Sequence, residues 1–344
     1  MSAAVINEQV IATRHGEFNT RFYRDNDSSV GVALWQGNLS GSIPVLGRVH
    51  SSCFTSEALG ALDCDCVQQL HLALRIIASR RRGVIFYLLQ EGRGAGLLSK
   101  ALDRMVVQSS RGTIDTFGAY KQMGIHPDPR HYGLVPTMCA NLGITATLRL
   151  MTNNPAKIGR MAAAGLAVEP VRLDSSASPY NAEYLNAKVR NGHVLNVAGV
   201  DVAERPAYLR ASDPSVKRFG LFCRIASYDL PIAIGGKPVW FRATAYSDAS
   251  GGSERFVLSH YRNSAAKPVL EIFRDRLLDR LSGSGHLAER YRASLQRIDE
   301  RGAGSILAIP DDPTWLVRRS GITEHEDIEL LRRHAEALSS AIAR

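Results

Sequence analysis

Three cysteines within one short segment constrain this chain most. Cys53, Cys64 and Cys66 follow one another with the spacing Cys-x10-Cys-x-Cys, and three thiolates can fill three of the four tetrahedral positions around Zn²⁺. A site that lacks a fourth protein ligand leaves room for a water, which becomes a usable hydroxide near neutral pH. The segment therefore predicts a fold that brings three thiols together around a catalytic metal ion.

Two other interpretations of the cysteines are open at this point. A free cysteine is often a small buried hydrophobic residue, and Cys139 or Cys223 could complete a four-cysteine knuckle. The residues downstream of the cluster favour the catalytic site over both.

Length and composition bound the class of protein. With 344 residues the chain can form two domains. No apolar run approaches the roughly 20 residues of a membrane span, and the first residues show no secretory signal, so we expect a soluble cytoplasmic protein without a membrane partner. The net charge of +9 indicates an anionic partner, either nucleic acid or a phosphorylated small molecule.

Apolar runs and turn residues predict a mixed α/β domain in the first half of the chain. Strands are predicted at 10–13, 18–23, 30–35, 45–49, 84–89 and 147–151, and helices at 56–79, 97–108 and 134–142. Because strands alternate with helical crossovers, ligands are expected at the carboxyl ends of the strands.

Three polar loops follow these strands or lie between the helices. The turn 90–96 is rich in glycine and offers Glu91 as an acceptor for a purine edge and Arg93 as a phosphate donor. Asp128 and Arg130 lie two apart between prolines, which holds an acid and a cation on one side of a stiff loop. The loop 152–157 opens a helix with hydroxyl, amide and ammonium donors suited to phosphate.

These motifs together resemble the GTP cyclohydrolase II family over roughly residues 10–196. The resemblance rests on Arg48-Val-His-Ser, the three cysteines, Gln90-Glu-Gly-Arg-Gly-Ala-Gly-Leu, Asp115-Thr, Asp128-x-Arg130, Thr152-Asn-Asn-Pro-x-Lys157 and the segment 181–193, all in this order. It implies a dimeric enzyme that opens the imidazole ring of GTP at C8 and releases formate and pyrophosphate in riboflavin synthesis. The product would be a 2,5-diamino-6-ribosylamino-pyrimidinone 5'-phosphate.

The resemblance also implies a role for individual residues. Cys53, Cys64 and Cys66 would bind zinc, Arg130 would be the nucleophile toward the α-phosphorus, and Asp128 would be the general base. Mg²⁺ would accompany the triphosphate. The remaining residues would line the nucleotide: Arg48, Val49, His50, Ser51, Ser52, Gln69, Glu91, Gly92, Arg93, Thr116, Thr152 and Lys157.

The sequence departs from the family pattern near the metal. Ser52 stands where the family usually has Glu, and Arg104 or Met105 stands where it usually has Tyr. Residues 117–120 also differ from the usual pattern. An alternative reading is therefore that the ring opens but the formylamino product is released, or that another purine nucleotide is the substrate in a specialised pathway.

The remaining residues predict a further domain. We divide the chain into a catalytic domain at 1–196, a linker at 197–215 and a smaller α/β domain at 216–344. The order of strands and glycines in the last part mirrors the first, with 44–46 matching 268–270 and Gly83 matching Gly302, which predicts a degenerate repeat without cysteines. The helix predicted at 324–343 is amphipathic and is expected to form a contact surface.

The residues give less support to functions from other classes. A non-catalytic protein would use a structural zinc and the basic surface to bind nucleic acid, but no recognition helix or aromatic stacking pattern supports it. A catalytically dead regulatory relative would fit Ser52 and the lost Tyr, but it would not need to keep Asp128 and Arg130. We therefore expect no nucleic-acid partner.

Overall fold

The structure of the chain is a computed structural model that describes residues 3–25, 29–197, 199–204, 206, 216–248, 254–263, 265–282, 286–310 and 324–342. Within these residues the chain forms two β-sheets with helices packed against them, so the predicted mixed α/β class is confirmed. None of the helices in the described ranges is long and apolar enough to cross a lipid bilayer.

The first sheet contains seven strands, namely β1 (Ala3–Thr13), β2 (Gly16–Asp25), β3 (Val30–Gln36), β4 (Val45–Ser51), β5 (Gly83–Leu88), β6 (Leu148–Met151) and β7 (Val168–Val171). Their order across the sheet is β1-β2-β3-β5-β4-β6-β7. Strand β4 pairs in parallel with β5 and β6, whereas β3 pairs antiparallel with β5. The carboxyl ends of β4, β5 and β6 therefore meet at one edge.

Strand β5 shows why the sheet is buried on both faces. All six of its residues are buried, and because side chains alternate along a strand, Val84, Phe86 and Leu88 enter one core cluster while Ile85 and Tyr87 enter another on the opposite face. The continuous apolar run in the sequence predicts this placement.

Seven helices accompany the first sheet, namely α1 (Phe54–Glu57), α2 (Cys66–Arg80), α3 (Leu97–Ser109), α4 (Thr116–Gln122), α5 (Leu134–Asn141), α6 (Pro155–Ala163) and α7 (Ala182–Arg190). The side chain of Asp115 caps α4 by accepting the N–H groups of Phe117 and Gly118. The helical stretch predicted at 56–79 is two helices, because the loop 58–65 leaves the helical path and contains Gly60 with φ +71°.

The second sheet contains six strands, namely β8 (Lys217–Phe219), β9 (Phe222–Ile234), β10 (Lys237–Asp248), β11 (Glu254–Tyr261), β12 (Val269–Arg274) and β13 (Ala303–Ile309). Its helices are α8 (Leu277–Ser282), α9 (His286–Arg301) and α10 (Glu324–Ile342). The order across this sheet is β12-β13-β11-β10-β9-β8.

Both sheets use the same arrangement of five strands. In the first, β1, β2, β3 and β5 pair antiparallel in sequence and β4 adds in parallel to β5. In the second, β9, β10, β11 and β13 pair antiparallel and β12 adds in parallel to β13. This shared topology supports the predicted repeat, while descent from a duplicated segment stays a prediction.

The two sheets share one hydrophobic core. Phe54, Leu59 and Met105 from the first half lie in the same cluster as Leu230 and Phe241 from the second. Gln108 on α3 also bonds the backbone of Asp229 twice, with its side-chain N–H donating to the carbonyl at 2.7 Å and its oxygen accepting from the N–H at 2.8 Å. The second sheet is therefore packed directly on the helices that border the cysteine segment.

Two predictions concern the ends of the second half. Residues 198, 205 and 207–215 of the predicted linker lie outside the described residues. The predicted repeat places 282–285 where the first half has Cys64-Asp-Cys66, and of these 283–285 also lie outside the described residues. The predicted terminal helix is α10, and its Leu330 and Leu331 pack against Phe222 and Tyr246 of the second sheet. Leu330 and Leu331 are thus buried within the chain itself, whereas Ile328 of the same helix is exposed.

Candidate active site

The three thiols converge as the spacing predicts. Cys53 precedes α1, Cys64 lies in the loop 58–65 and Cys66 begins α2, and their Sγ atoms all lie within 4.8 Å of one another. Hydrogen bonds from the Cys53 and Cys66 thiols lower the pKa of Cys64. The cluster therefore suits a zinc ion, because it offers three soft donors and one of them ionises readily.

Neither remaining cysteine joins this cluster. Cys139 is on α5 within a core cluster beneath the first sheet, and Cys223 is on β9 of the second. Among the residues that the structure describes, the only group of three or more potential metal ligands is Cys53, Cys64 and Cys66. The four-cysteine knuckle is therefore wrong.

A cavity opens beside the thiols at the carboxyl ends of the strands. It is lined by the three cysteines and by every other predicted site residue except Asp128, namely Arg48, Val49, His50, Ser51, Ser52, Gln69, Glu91, Gly92, Arg93, Thr116, Arg130, Thr152 and Lys157. Loops that are far apart in the sequence thus meet here because parallel strands end at the same edge.

Arg48 is held in the wall of this cavity by fixed partners. Its guanidinium donates to the carbonyl of Met151 at 3.1 Å and to the side chain of Gln69. Burial lowers the pKa of Arg48 to about 10, so the group still carries its charge at neutral pH. The cavity therefore contains a rigid, buried cation suited to an anionic ligand.

Glu91 and Lys100 form an ion pair that touches the metal-ligand segment. The Nζ of Lys100 lies 3.0 Å from Glu91 Oε1 and 3.0 Å from Cys53 Sγ, and Glu91 Oε2 accepts the N–H of Phe54 at 2.5 Å. Burial opposes the charge of Lys100, but the Cys53 thiol and the Glu91 carboxylate raise its pKa. Lys100 thus provides a positive charge beside the three thiols, and this charge helps to lower the pKa of Cys64.

Arg93 occupies a backbone conformation that side chains rarely adopt. Its φ is +59°, and its guanidinium is 4.0 Å from the ring centroid of Phe117 while donating to the carbonyl of Pro127 at 3.1 Å. Such strain persists where the surroundings hold the residue, and these contacts aim the charge of Arg93 along the cavity.

Asp128 and Arg130 form a bidentate pair. Arg130 Nε donates to Asp128 Oδ1 at 2.7 Å and Arg130 Nη2 donates to Oδ2 at 2.8 Å. Burial opposes ionisation of Asp128, but Arg130 outweighs it and lowers the pKa of Asp128 to about 2, and the same contact raises the pKa of Arg130. Arg130 lines the cavity, and Asp128 holds it from behind.

The loop after β6 supplies further groups to the cavity. Thr152 Oγ1 accepts the N–H of Asn154 at 3.1 Å, and Lys157 Nζ donates to the carbonyl of Val49 at 2.9 Å. Burial and the nearby charges of Arg130 and Arg48 lower the pKa of Lys157. An anion bound among these groups would remove the mutual repulsion, so the cluster is suited to phosphate.

Besides Arg104 Nε, which forms an ion pair with Asp63, three polar atoms of the cavity lining have no hydrogen-bond partner among the residues that the structure describes. Ser51 Oγ, Asp103 Oδ1 and His193 Nδ1 are all buried and unpaired. Buried polar atoms are nearly always satisfied, so these three indicate where a polar ligand makes contacts.

Several cavity residues were not predicted from the sequence. Lys188 on α7 donates to Asp65 Oδ1 at 2.6 Å, and Tyr184 on the same helix has its ring 4.7 Å from the Arg104 guanidinium carbon. His193 also lines the cavity, and burial lowers its pKa to about 4. The segment 181–193 is part of the family resemblance, but the sequence assigns no role to any single residue in it.

The departures from the family pattern all lie in or beside this cavity. Ser52 is buried in its lining and brings no charge to the metal-ligand segment. Arg104 faces the cavity, and its Nε lies 2.9 Å from Asp63 Oδ2 in the loop between the cysteines. Met105 points instead into the core shared with the second sheet. Of the two positions, Arg104 is therefore the one that lines the cavity.

Comparisons with known proteins agree with this geometry. The family model for GTP cyclohydrolase II matches residues 4–172. The GTP cyclohydrolase-2 of Azotobacter vinelandii is 39% identical over 209 residues, which cover 99% of that protein and 60% of this chain. That of Pseudomonas aeruginosa is 40% identical over 198 residues, or 95% of its length and 57% of this chain.

A longer relative matches over a similar stretch. The riboflavin biosynthesis protein RibBA of Salinispora tropica is 40% identical over 195 residues, which cover 48% of that protein and 56% of this chain. The second half of this chain lies beyond the family match. The motifs, the cavity and these similarities lead to one conclusion, which is that the chain belongs to the GTP cyclohydrolase II family.

Proposed function

We propose that this protein is a zinc-dependent hydrolase that opens the imidazole ring of GTP at C8, with release of formate and pyrophosphate. The observation that carries the proposal is the convergence of three thiols on a cavity lined by Arg48, Arg93, Arg130 and Lys157. A soft metal site beside a cluster of cations matches a substrate that joins an electrophilic ring carbon to a triphosphate.

Each part of the cavity has a task in this reaction. Cys53, Cys64 and Cys66 would hold the zinc ion, which supplies an activated water when it is bound. Lys100 keeps a positive charge at the Cys53 thiol. Glu91 offers a carboxylate to the N–H groups of the guanine edge, and Arg48, Arg93 and Lys157 neutralise the phosphates. The buried cations lie in a region of low dielectric, where they act strongly on developing charge.

The pair Asp128 and Arg130 would act at the α-phosphorus. Because the raised pKa keeps Arg130 charged at rest, a nucleophilic role requires its proton to pass to a base, and Asp128 accepts two of its N–H groups directly. Asp128 would be that base. Mg²⁺ on the triphosphate, a homodimeric state and a cytoplasmic location remain predictions from the resemblance.

One observation favours a second candidate product. The side chain that faces the cavity from α3 is Arg104, held by Asp63, and it lacks the phenolic hydroxyl that the family usually has at this place. Under this alternative the ring opens and pyrophosphate leaves, but the formyl group stays on the pyrimidine. Another purine nucleotide as substrate is the related alternative.

The test is to incubate zinc-loaded protein with GTP and Mg²⁺, to assay formate and pyrophosphate separately, and to identify the products by mass spectrometry. Equal amounts of both support the full reaction, whereas pyrophosphate with a retained formyl group supports the second candidate. The Cys64→Ser variant should lose turnover under either. Absence of turnover with GTP and other purine nucleotides would contradict the proposal and favour a regulatory role.

A further inference from the structure

A buried carboxylate lies behind the metal-ligand segment. Glu57, at the end of α1, accepts the N–H of Cys53 at 2.9 Å on Oε1 and the Tyr87 hydroxyl at 2.6 Å on Oε2. His50 Nε2 lies 3.0 Å from the same Oε1, and Arg48 Nε lies 3.4 Å from His50 Nδ1, so the ring proton belongs on Nε2. Glu57 thus orients both the first thiol and the His50 ring of the cavity wall.

The charge opposite Glu57 comes from the second half of the chain. Arg280 on α8 donates from Nη1 to the Tyr87 hydroxyl at 3.0 Å, and the same atom lies 4.0 Å from Glu57 Oε2. Its other nitrogens pair with Asp275, and its side chain is only 6% exposed. A carboxylate as buried as Glu57 needs such a partner, because an uncompensated buried charge is costly.

The loop that leads to Cys64 is also fixed by the second half. Leu62 N–H donates to the carbonyl of Pro231 at 2.9 Å, and Ala233 N–H donates to the carbonyl of Gly60 at 3.3 Å, so the loop is joined to β9 by an isolated antiparallel β-bridge between Ala61 and Ile232. The Tyr291 hydroxyl on α9 donates to the carbonyl of Leu59 at 3.1 Å. Both ends of the segment between Cys53 and Cys64 therefore rest on residues beyond the family match.

We propose that Arg280 is a positioning residue of the metal site, and that the second half of the chain is a working part of the active site. Arg280 acts through Tyr87 and Glu57, which hold the backbone of Cys53 and the His50 ring in place. This inference rests on the proposed zinc-dependent function. Groups that orient the ligands of a metal commonly change metal affinity or activity by about 10- to 100-fold when they are removed.

The experiment compares Arg280→Met with the matched control Arg276→Met, since Arg276 immediately precedes the same helix and is exposed. Zinc affinity is measured by competition with a chromophoric chelator, and GTP turnover gives kcat and KM. For Arg280→Met we expect zinc affinity and kcat to fall about tenfold or more, with little change in KM. Amide exchange should also accelerate in residues 53–57 but not in β10. The control should match the wild type.

A double variant separates positioning from stability. In Arg280→Met with Asp275→Leu both members of the pair become apolar, which commonly restores stability, while Tyr87 and Glu57 still lack the cation. We expect a melting temperature near that of the wild type, with zinc affinity and kcat still reduced. Wild-type zinc affinity and kcat in this double variant would overturn the proposal.

Failure of the proposed function has a different signature. A wild-type protein that binds zinc but turns over no purine nucleotide would remove the enzymatic proposal, whereas the zinc affinity and amide exchange of the Arg280 variants would still decide the positioning role. Unchanged zinc affinity and unchanged exchange at residues 53–57 in Arg280→Met would contradict that role, whatever the enzyme does with GTP.

Discussion

Acid should weaken the second half of the chain through one buried histidine, His334. Its Nε2 lies 2.8 Å from Ser259 Oγ, and its Nδ1 bonds the Tyr246 hydroxyl. Burial, with the nearby charge of Arg224, lowers the pKa of His334 from 6.5 to about 3. Folding therefore keeps this ring neutral at a pH where the unfolded chain would protonate it.

The magnitude follows from the two pKa values. Between pH 6.5 and about 3 the unfolded state binds one more proton at this site than the native state, so stability falls as the pH falls through that window. Within this window each pH unit changes the free energy of unfolding by about 1.4 kcal/mol. The pH of 4.5 lies two units below 6.5, the pKa of the histidine in the unfolded chain. His334 should therefore lower the free energy of unfolding by about 3 kcal/mol at pH 4.5 relative to pH 7.5.

Urea titrations followed by circular dichroism at pH 7.5 and 4.5 measure this quantity. His334→Gln removes the titrating ring, so its loss of stability between the two pH values should be about 3 kcal/mol smaller than that of the wild type. His325→Gln, an exposed position on the same helix, should behave as the wild type does. Other buried histidines and any release of metal contribute to both proteins and cancel in the difference.

A small difference would refute the reasoning. If the wild type and His334→Gln lose the same free energy to within about 0.5 kcal/mol, which is the usual error of additivity, then His334 is not held neutral by the fold. In that case the contacts of the ring with Ser259 and Tyr246 would have to persist in its protonated form.

Three further changes test the site and the shared core. Asp128→Asn should lower formate and pyrophosphate release by about 100-fold or more because it removes the proposed base, with bound zinc unchanged by atomic absorption. Lys188→Met leaves the buried Asp65 without its cation and should cost about 3–5 kcal/mol in urea unfolding, whereas the exposed Lys121→Met should cost little. Phe241→Ala empties a fully buried position of the shared core and should cost about 3–5 kcal/mol, visible as a lower melting temperature in calorimetry.

Much of the fold and the site follows from local features of the sequence. Strand β5 and helix α3 lie where the apolar run and the helical periodicity predict them. Many of the predicted site residues meet in one cavity although they are far apart in the sequence, because they lie in or directly after β4, β5 and β6, which end at the same edge of one sheet. Short-range patterns are informative here because the chemistry is carried by loops whose positions the strands determine.

The contacts that the sequence does not predict are those between distant segments. Arg280 bonds Tyr87 across 193 residues, and Lys188 bonds Asp65 across 123 residues. No spacing rule connects such pairs, and a single arginine on a short helix has the same local appearance whether it faces solvent or a buried carboxylate. The packing of the second sheet on α1 and α3 determines that Arg280 faces the buried carboxylate, and this packing is visible only in the folded chain.

The β-bridge between the loop 58–65 and β9 has a consequence for the synthesis of the protein on the ribosome. The partners of Leu59 and Leu62 are Tyr291 and Pro231, so ribosomes add roughly 170 to 230 residues after the loop before its supports exist. At about 5–20 residues per second this interval lasts about ten seconds or more. The thiols emerge long before the scaffold that fixes them, and we expect the nascent chain to acquire its final metal geometry only near the end of translation.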